Sequence, residues 1–200
     1  IKDSFEISIL DNEELAKEKL EKGIIHLISL NPGKDNQLHS AKVFLGLLLG
    51  IRYEDERLKD QKEVVNHIRI SIRVFIECLC KKANTKNCSF IVVLEDLHWI
   101  DNMSLDTLEY LLQTFNIQDK RDNTNLSVAL FICTYRNEYT VNPKVTNECQ
   151  FNDILLKTLS KESSFELIEE LTENIEIDEK KQIELYDKSS GNPFFIEEWV

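Results

Sequence analysis

Apolar positions along this chain fall into two rhythms. Over residues 64–79 they recur every three or four places: Val64, Val65, Ile68, Ile72, Phe75, Ile76 and Leu79. That spacing puts one apolar stripe on a helix. Leu105, Leu108, Leu111, Leu112 and Phe115 repeat the pattern. Between them, residues 90–94 form an unbroken apolar run, Phe-Ile-Val-Val-Leu, which predicts a short strand covered on both faces. Residues 126–133 are a second such run, and residues 151–156 a third. The segment 24–30 also reads as a buried strand, and 4–10 as a short one. Residues 12–22 predict a charged helix stopped by Gly23, and 37–49 a helix ending near Gly50. Asn31-Pro32-Gly33 is a turn signal, 81–89 and 118–125 are polar loops, and 134–150 is irregular.

The rhythm changes after Leu159. Residues 160–173 predict a helix, with Ser163-x-x-Glu166 spaced for a capping box. Residues 178–188 predict another. Gly191-Asn192-Pro193 then introduces a helix beginning at Phe194, with proline at its first position. Strands alternate with helices up to about residue 158, and helices follow alone. This order predicts an α/β fold, a parallel sheet with helices, over residues 1–158, and the beginning of a helical lid over 159–200.

Composition narrows the function classes. The 200 residues carry 24 Lys+Arg against 36 Asp+Glu, a formal charge of -12. An acidic field of that size argues against nucleic acid as a partner. No segment has the roughly 18 apolar residues that a membrane crossing requires. Cys78, Cys80, Cys88, Cys133 and Cys149 include no Cys-x-x-Cys pair, which fits reduced thiols in a cytoplasmic protein. His26, His39, His67 and His98 show no metal-ligand spacing, so no structural zinc is expected. The chain begins at Ile1 and ends inside a helical pattern, so both ends are expected to be cut from a longer protein.

The chemistry concentrates where the 90–94 strand runs directly into Glu95 and Asp96. In open parallel sheets, ligands bind at the carboxyl ends of strands. Carboxylates placed there can hold a hard cation such as Mg²⁺ through oxygen and can orient a water. The same two acids also suit a solvated strand-to-helix loop. The longer string Glu95-Asp96-Leu97-His98-Trp99-Ile100-Asp101 is more specific. It resembles the Walker B segment of STAND-type ATPases of the broad AAA+ class. Modules of that family regulate bacterial adenylate and guanylate cyclases, kinase fusions and LuxR-type transcription regulators. Two more segments resemble the family in the right order. Residues 129–136, ending Thr134-Tyr135-Arg136, are similar to its sensor strand, and 190–198, with Gly191-Asn192-Pro193, to its Gly-x-Pro lid motif.

The resemblance implies a P-loop NTPase-like, three-layer α/β core and a nucleotide site holding ATP and Mg²⁺. Glu95 and Asp96 would serve metal and water, in an assignment left open because Glu precedes Asp here. Thr134 and Arg136 would face the phosphates, and Pro193 would lie near the adenine. His98 would be either a polar switch near the phosphates or a packing residue, Trp99 an anchor for the following helix, and Asp101 its cap.

A Gly-x-x-x-x-Gly-Lys-Ser/Thr loop is missing. At the only Gly-Lys pair, Gly33-Lys34, Ile28 stands where the first glycine belongs and Asp35 where the hydroxyl belongs. Either a P-loop precedes Ile1, or it has degenerated after the 5–10 segment. The first alternative makes the complete protein an ATP-hydrolysing switch attached to a cyclase, kinase or transcription-regulator output domain, with this piece inactive alone. The second makes it a non-catalytic pseudo-ATPase scaffold for protein interactions.

Overall fold

The computed structural model describes residues 1–118, 129–147, 149–172 and 177–200; the side chains at 116–118 and 144 also stay outside the description. The chain divides into two compact units, Ile1–Phe151 and Asn152–Val200.

Three helices build the first part of unit one. α1 (Glu13–Leu30) starts on Asn12, whose side chain accepts the Leu15 N–H, with Glu13 and Glu14 complementing the positive end of the helix dipole. Gly23 does not stop this helix. Ala16, Leu20, Ile24 and Leu27 keep a helical period straight across it and are all buried. The glycine is needed because the Phe5 ring lies 2.2 Å from where a β-carbon would stand. The 24–30 run is therefore the inner face of a helix and not a strand. Residues 4–10 form no strand either; a 3₁₀ turn at Asp3–Phe5 seats Phe5 against that face. α2 (Asp35–Leu48) and α3 (Gln61–Thr85) complete the layer. Leu38, Ala41 and Leu45 of α2 meet Val74, Phe75 and Cys78 of α3 in one cluster.

A buried carboxylate ties these helices together. Glu77 of α3 is 4% exposed and accepts from Lys34 Nζ at 2.8 Å and Arg73 Nη1 at 3.0 Å. Burial pushes the neighbouring Cys78 and Cys80 thiols up to about 11, so both stay protonated at neutral pH.

The predicted three-layer parallel sheet is not formed. Helix makes up 62% of the structure, and the described residues contain one sheet of two strands, β1 (Phe90–Leu94) and β2 (Ala129–Cys133). They pair in parallel from Phe90↔Ala129 to Leu94↔Cys133. One face rests on helices: Phe90, Ala129 and Phe131 pack with Ile76 and Cys80 of α3 and Leu111 and Phe115 of α4 (Asn102–Gln118). No described residue of this unit covers the other face, where Ile91, Val93, Leu130 and Ile132 are between 42% and 54% exposed. A continuous apolar run thus became a strand covered on one side only. The predicted loop at 118–125 lies almost wholly outside the described residues, as do the first three positions of the 126–133 run. The irregular 134–150 segment contains a short helix, α5 (Pro143–Asn147).

Unit two holds α6 (Lys161–Leu171), α7 (Glu179–Ser189) and α8 (Pro193–Trp199). Ser160, and not Ser163, caps α6 by accepting the Ser163 N–H. Asp178 caps α7, and Asn192 caps α8 with Pro193 in its first turn. Ile168 and Ile196 are fully buried. The expected third strand is absent among the described residues: 151–156 carry no regular secondary structure, and Ile154, Leu155 and Leu156 are exposed. No helix among the described residues is long and apolar enough to cross a membrane.

Two substitutions test these joints. Glu77→Gln keeps the volume but leaves Lys34 and Arg73 facing a neutral amide. It should lower unfolding free energy by about 3 kcal/mol in urea titration, and an unchanged midpoint would refute the role given to this network. In unit two, Gly191 has φ +73°, and a β-carbon would stand 2.3 Å from the Leu159 carbonyl oxygen. Gly191→Ala should therefore cost at least about 1–2 kcal/mol for the left-handed backbone alone. Trp199 fluorescence in a Trp99→Phe background reads that loss locally.

Candidate functional site

The carboxyl ends of β1 and β2 form a tight corner. Thr134 closes it with three hydrogen bonds. Its N–H donates to the Leu94 carbonyl at 2.9 Å, its carbonyl accepts the Leu97 N–H at 2.8 Å, and its hydroxyl accepts the Asp96 N–H at 3.1 Å. The chain turns because Leu97 must enter the core. That side chain is 3% exposed and packs with Leu108, Leu112 and Val145. To aim Leu97 inward immediately after a strand, Asp96 takes a left-handed conformation, φ 54° and ψ 44°. For a residue other than glycine this conformation costs about 1–2 kcal/mol, somewhat less for aspartate.

The Asp96 side chain gains nothing structural in return. It is 77% exposed and caps neither the following 3₁₀ turn (Leu97–Trp99) nor α4. Glu95 is exposed beside it. Capping of α4 falls to Asp101, whose carboxylate accepts from the N–H groups of Met103 and Ser104 and from the Ser104 hydroxyl. The Ser104 hydroxyl, followed by the backbone donors, holds the Asp101 carboxyl below the usual range.

His98 is the other unusual group. Its side chain is only 10% exposed. Both ring nitrogens are shut from solvent without a hydrogen-bond partner. Nδ1 points toward Asp96 Oδ1 at 3.9 Å, too far for a hydrogen bond. The ring packs edge-on to Trp99, centroids 5.8 Å apart, and lies 6.5 Å from Tyr139, which in turn contacts Tyr135. Trp99 is 77% exposed, so it does not anchor α4 as expected; Leu97 and His98 are the inward-facing residues of this turn.

Of the sequence-predicted site residues, the fold brings Glu95, Asp96 and Thr134 together. Arg136 is exposed two residues beyond Thr134 and makes no ion pair with either acid. Pro193 belongs to the second unit, at the start of α8. The hydroxyl of Thr134 is committed to the Asp96 backbone, a bracing role that the motif alone does not reveal. The unpartnered imidazole is likewise invisible to spacing rules, since it arises from packing between the turn and Tyr139.

No protein-family model, curated protein or solved structure matches this chain.

The donors present suit an open Mg²⁺ contact. Mg²⁺ commonly takes one or two carboxylates and fills its remaining positions with water and phosphate oxygen. Two exposed carboxylates following β1 meet that requirement, and a buried ring nitrogen of His98 lies 3.9 Å from one of them. No group of three metal-ligating side chains is assembled among the described residues.

If Asp96 is strained for the sake of its carboxylate, Asp96→Gly should stabilise the fold by about 1 kcal/mol, read as a higher midpoint in urea. A lower midpoint would show that the carboxylate holds the corner together.

Proposed function

We propose that this chain is the regulatory module of a multidomain signalling protein whose state is set by ATP and Mg²⁺. The observation that carries this reading is the Asp96 corner. A carboxylate is kept in a costly backbone conformation, braced by Thr134, while its side chain is left free in water at the carboxyl end of a parallel strand pair. The resemblance of residues 90–101, 129–136 and 190–198 to STAND-type ATPase segments supports the same reading. In it, Glu95 and Asp96 hold the cation and orient the attacking water. Bound Mg²⁺ would offset negative charge on the phosphates. Arg136, exposed past β2, would meet the terminal phosphate with its planar guanidinium. Thr134 contributes by fixing Asp96. The output domain would be a cyclase, a kinase or a transcription regulator, in a cytoplasmic protein.

The bare sheet face favours a second reading, a non-catalytic scaffold. Ile91, Val93, Leu130 and Ile132 offer a protein partner an apolar surface that needs no nucleotide.

Kinetics in the complete parent protein separate the two. Glu95→Gln with Asp96→Asn should lower Mg²⁺-dependent ATP turnover by about 100-fold or more. Unchanged turnover rejects the assigned roles. Val93→Asp on the bare face should leave turnover intact under the first reading and abolish partner association under the second.

A further inference from the structure

His98 presents a problem that packing alone does not solve. A neutral imidazole carries one N–H donor and one acceptor. Burying the donor without a partner costs about 1–3 kcal/mol. Nine-tenths of this side chain is buried, and neither nitrogen is partnered. A phenylalanine would fill the same space between Trp99 and Tyr139 at no such cost. Among the described residues the carboxylate nearest the ring is that of Asp96, its Oδ1 3.9 Å from Nδ1 on an exposed side chain.

We propose that His98 is a positioning residue for Asp96. Its Nδ1–H donates to one carboxylate oxygen once the other oxygen engages a divalent cation. Asp96 would hold the cation with one oxygen while the imidazole behind it would fix the other. Carboxylates that ligate metals are characteristically held this way by a second hydrogen-bonding group. The assignment fixes the Nδ1–H tautomer and leaves Nε2 as the acceptor. Glu95, which has no such partner, remains free to serve water. This inference rests on the cation reading given above and assigns to His98 a part that no motif gives it.

Mn²⁺ alone, titrated into the 200-residue chain and followed by the electron-spin signal of the free ion, provides the test. The wild-type chain should bind saturably, and Asp96→Asn should abolish that binding. His98→Phe, which keeps the packing and removes the donor, should weaken it about tenfold. His98→Asn, whose amide nitrogen approximates Nδ1, should recover most of the loss. In parallel, ¹⁵N spectra of the wild-type ring should show protonated Nδ1 shifting on Mg²⁺ addition. Binding that depends on Asp96 but is equal in wild type and His98→Phe, or a ring that ignores Mg²⁺ while it binds, overturns the role of His98. Binding that is absent, or indifferent to Asp96→Asn, overturns the cation reading itself. Should His98→Phe fail to fold, the wild-type ring spectrum decides alone.

Discussion

A parallel pair of five-residue strands cannot stand by itself in water. Two-stranded sheets are marginal, and parallel ones ordinarily need cover. Here everything depends on α3. Its 25 residues extend about 37 Å, far enough to serve two cores at once. Val74, Phe75 and Cys78 face α1 and α2, while Ile76 and Cys80 face the strands and α4. The two stripes lie side by side on one helix, so the helical layer and the strand pair share a common wall. Glu77 sits at the boundary, where Lys34 fastens the helix to the turn before α2 and Arg73, one turn back on α3 itself, shares the carboxylate.

That wall explains why the corner after β1 is built as it is. With one face of the sheet committed to α3 and α4, Leu97 has to turn toward α4 at once, and the backbone pays at Asp96. Thr134 answers from the neighbouring strand with all three of its polar backbone and side-chain groups. The candidate chemistry is therefore a consequence of how a short strand joins its helix. The exposed acids sit where the chain leaves the strand and before it enters the helix.

The helices with clear periodicity were legible in the sequence. α2, α3 and α4 lie where the sequence reading put them, and Asp101 caps α4 as its chemistry suggests. Both strands adjoining the acid pair were legible too. The errors share a cause. Runs at 24–30 and 151–156 satisfy a strand pattern locally, but short apolar runs do not reveal their partners. Gly23 looked like a stop because its real reason, the close approach of Phe5, is a tertiary contact. Counting such runs as strands produced a layered sheet where the structure has a helical layer and one strand pair. The acid pair at the strand end was readable as residue types, and Thr134 does brace the Asp96 backbone. The strain at Asp96 and the unpartnered ring of His98 were not, because both depend on where the chain goes next.

The bare face of that strand pair also has a colloidal consequence. Among the described residues, both outer edges of the sheet are unpaired, and the β-branched side chains Ile91, Val93 and Ile132 stand on its open surface. Two copies meeting edge to edge would extend each other's ladder, the first step toward insoluble β-stacks. The formal charge of -12 opposes that approach by mutual repulsion, and its reach shrinks as salt shortens the screening length. In dilute buffer the acidity of this chain acts as its dispersant.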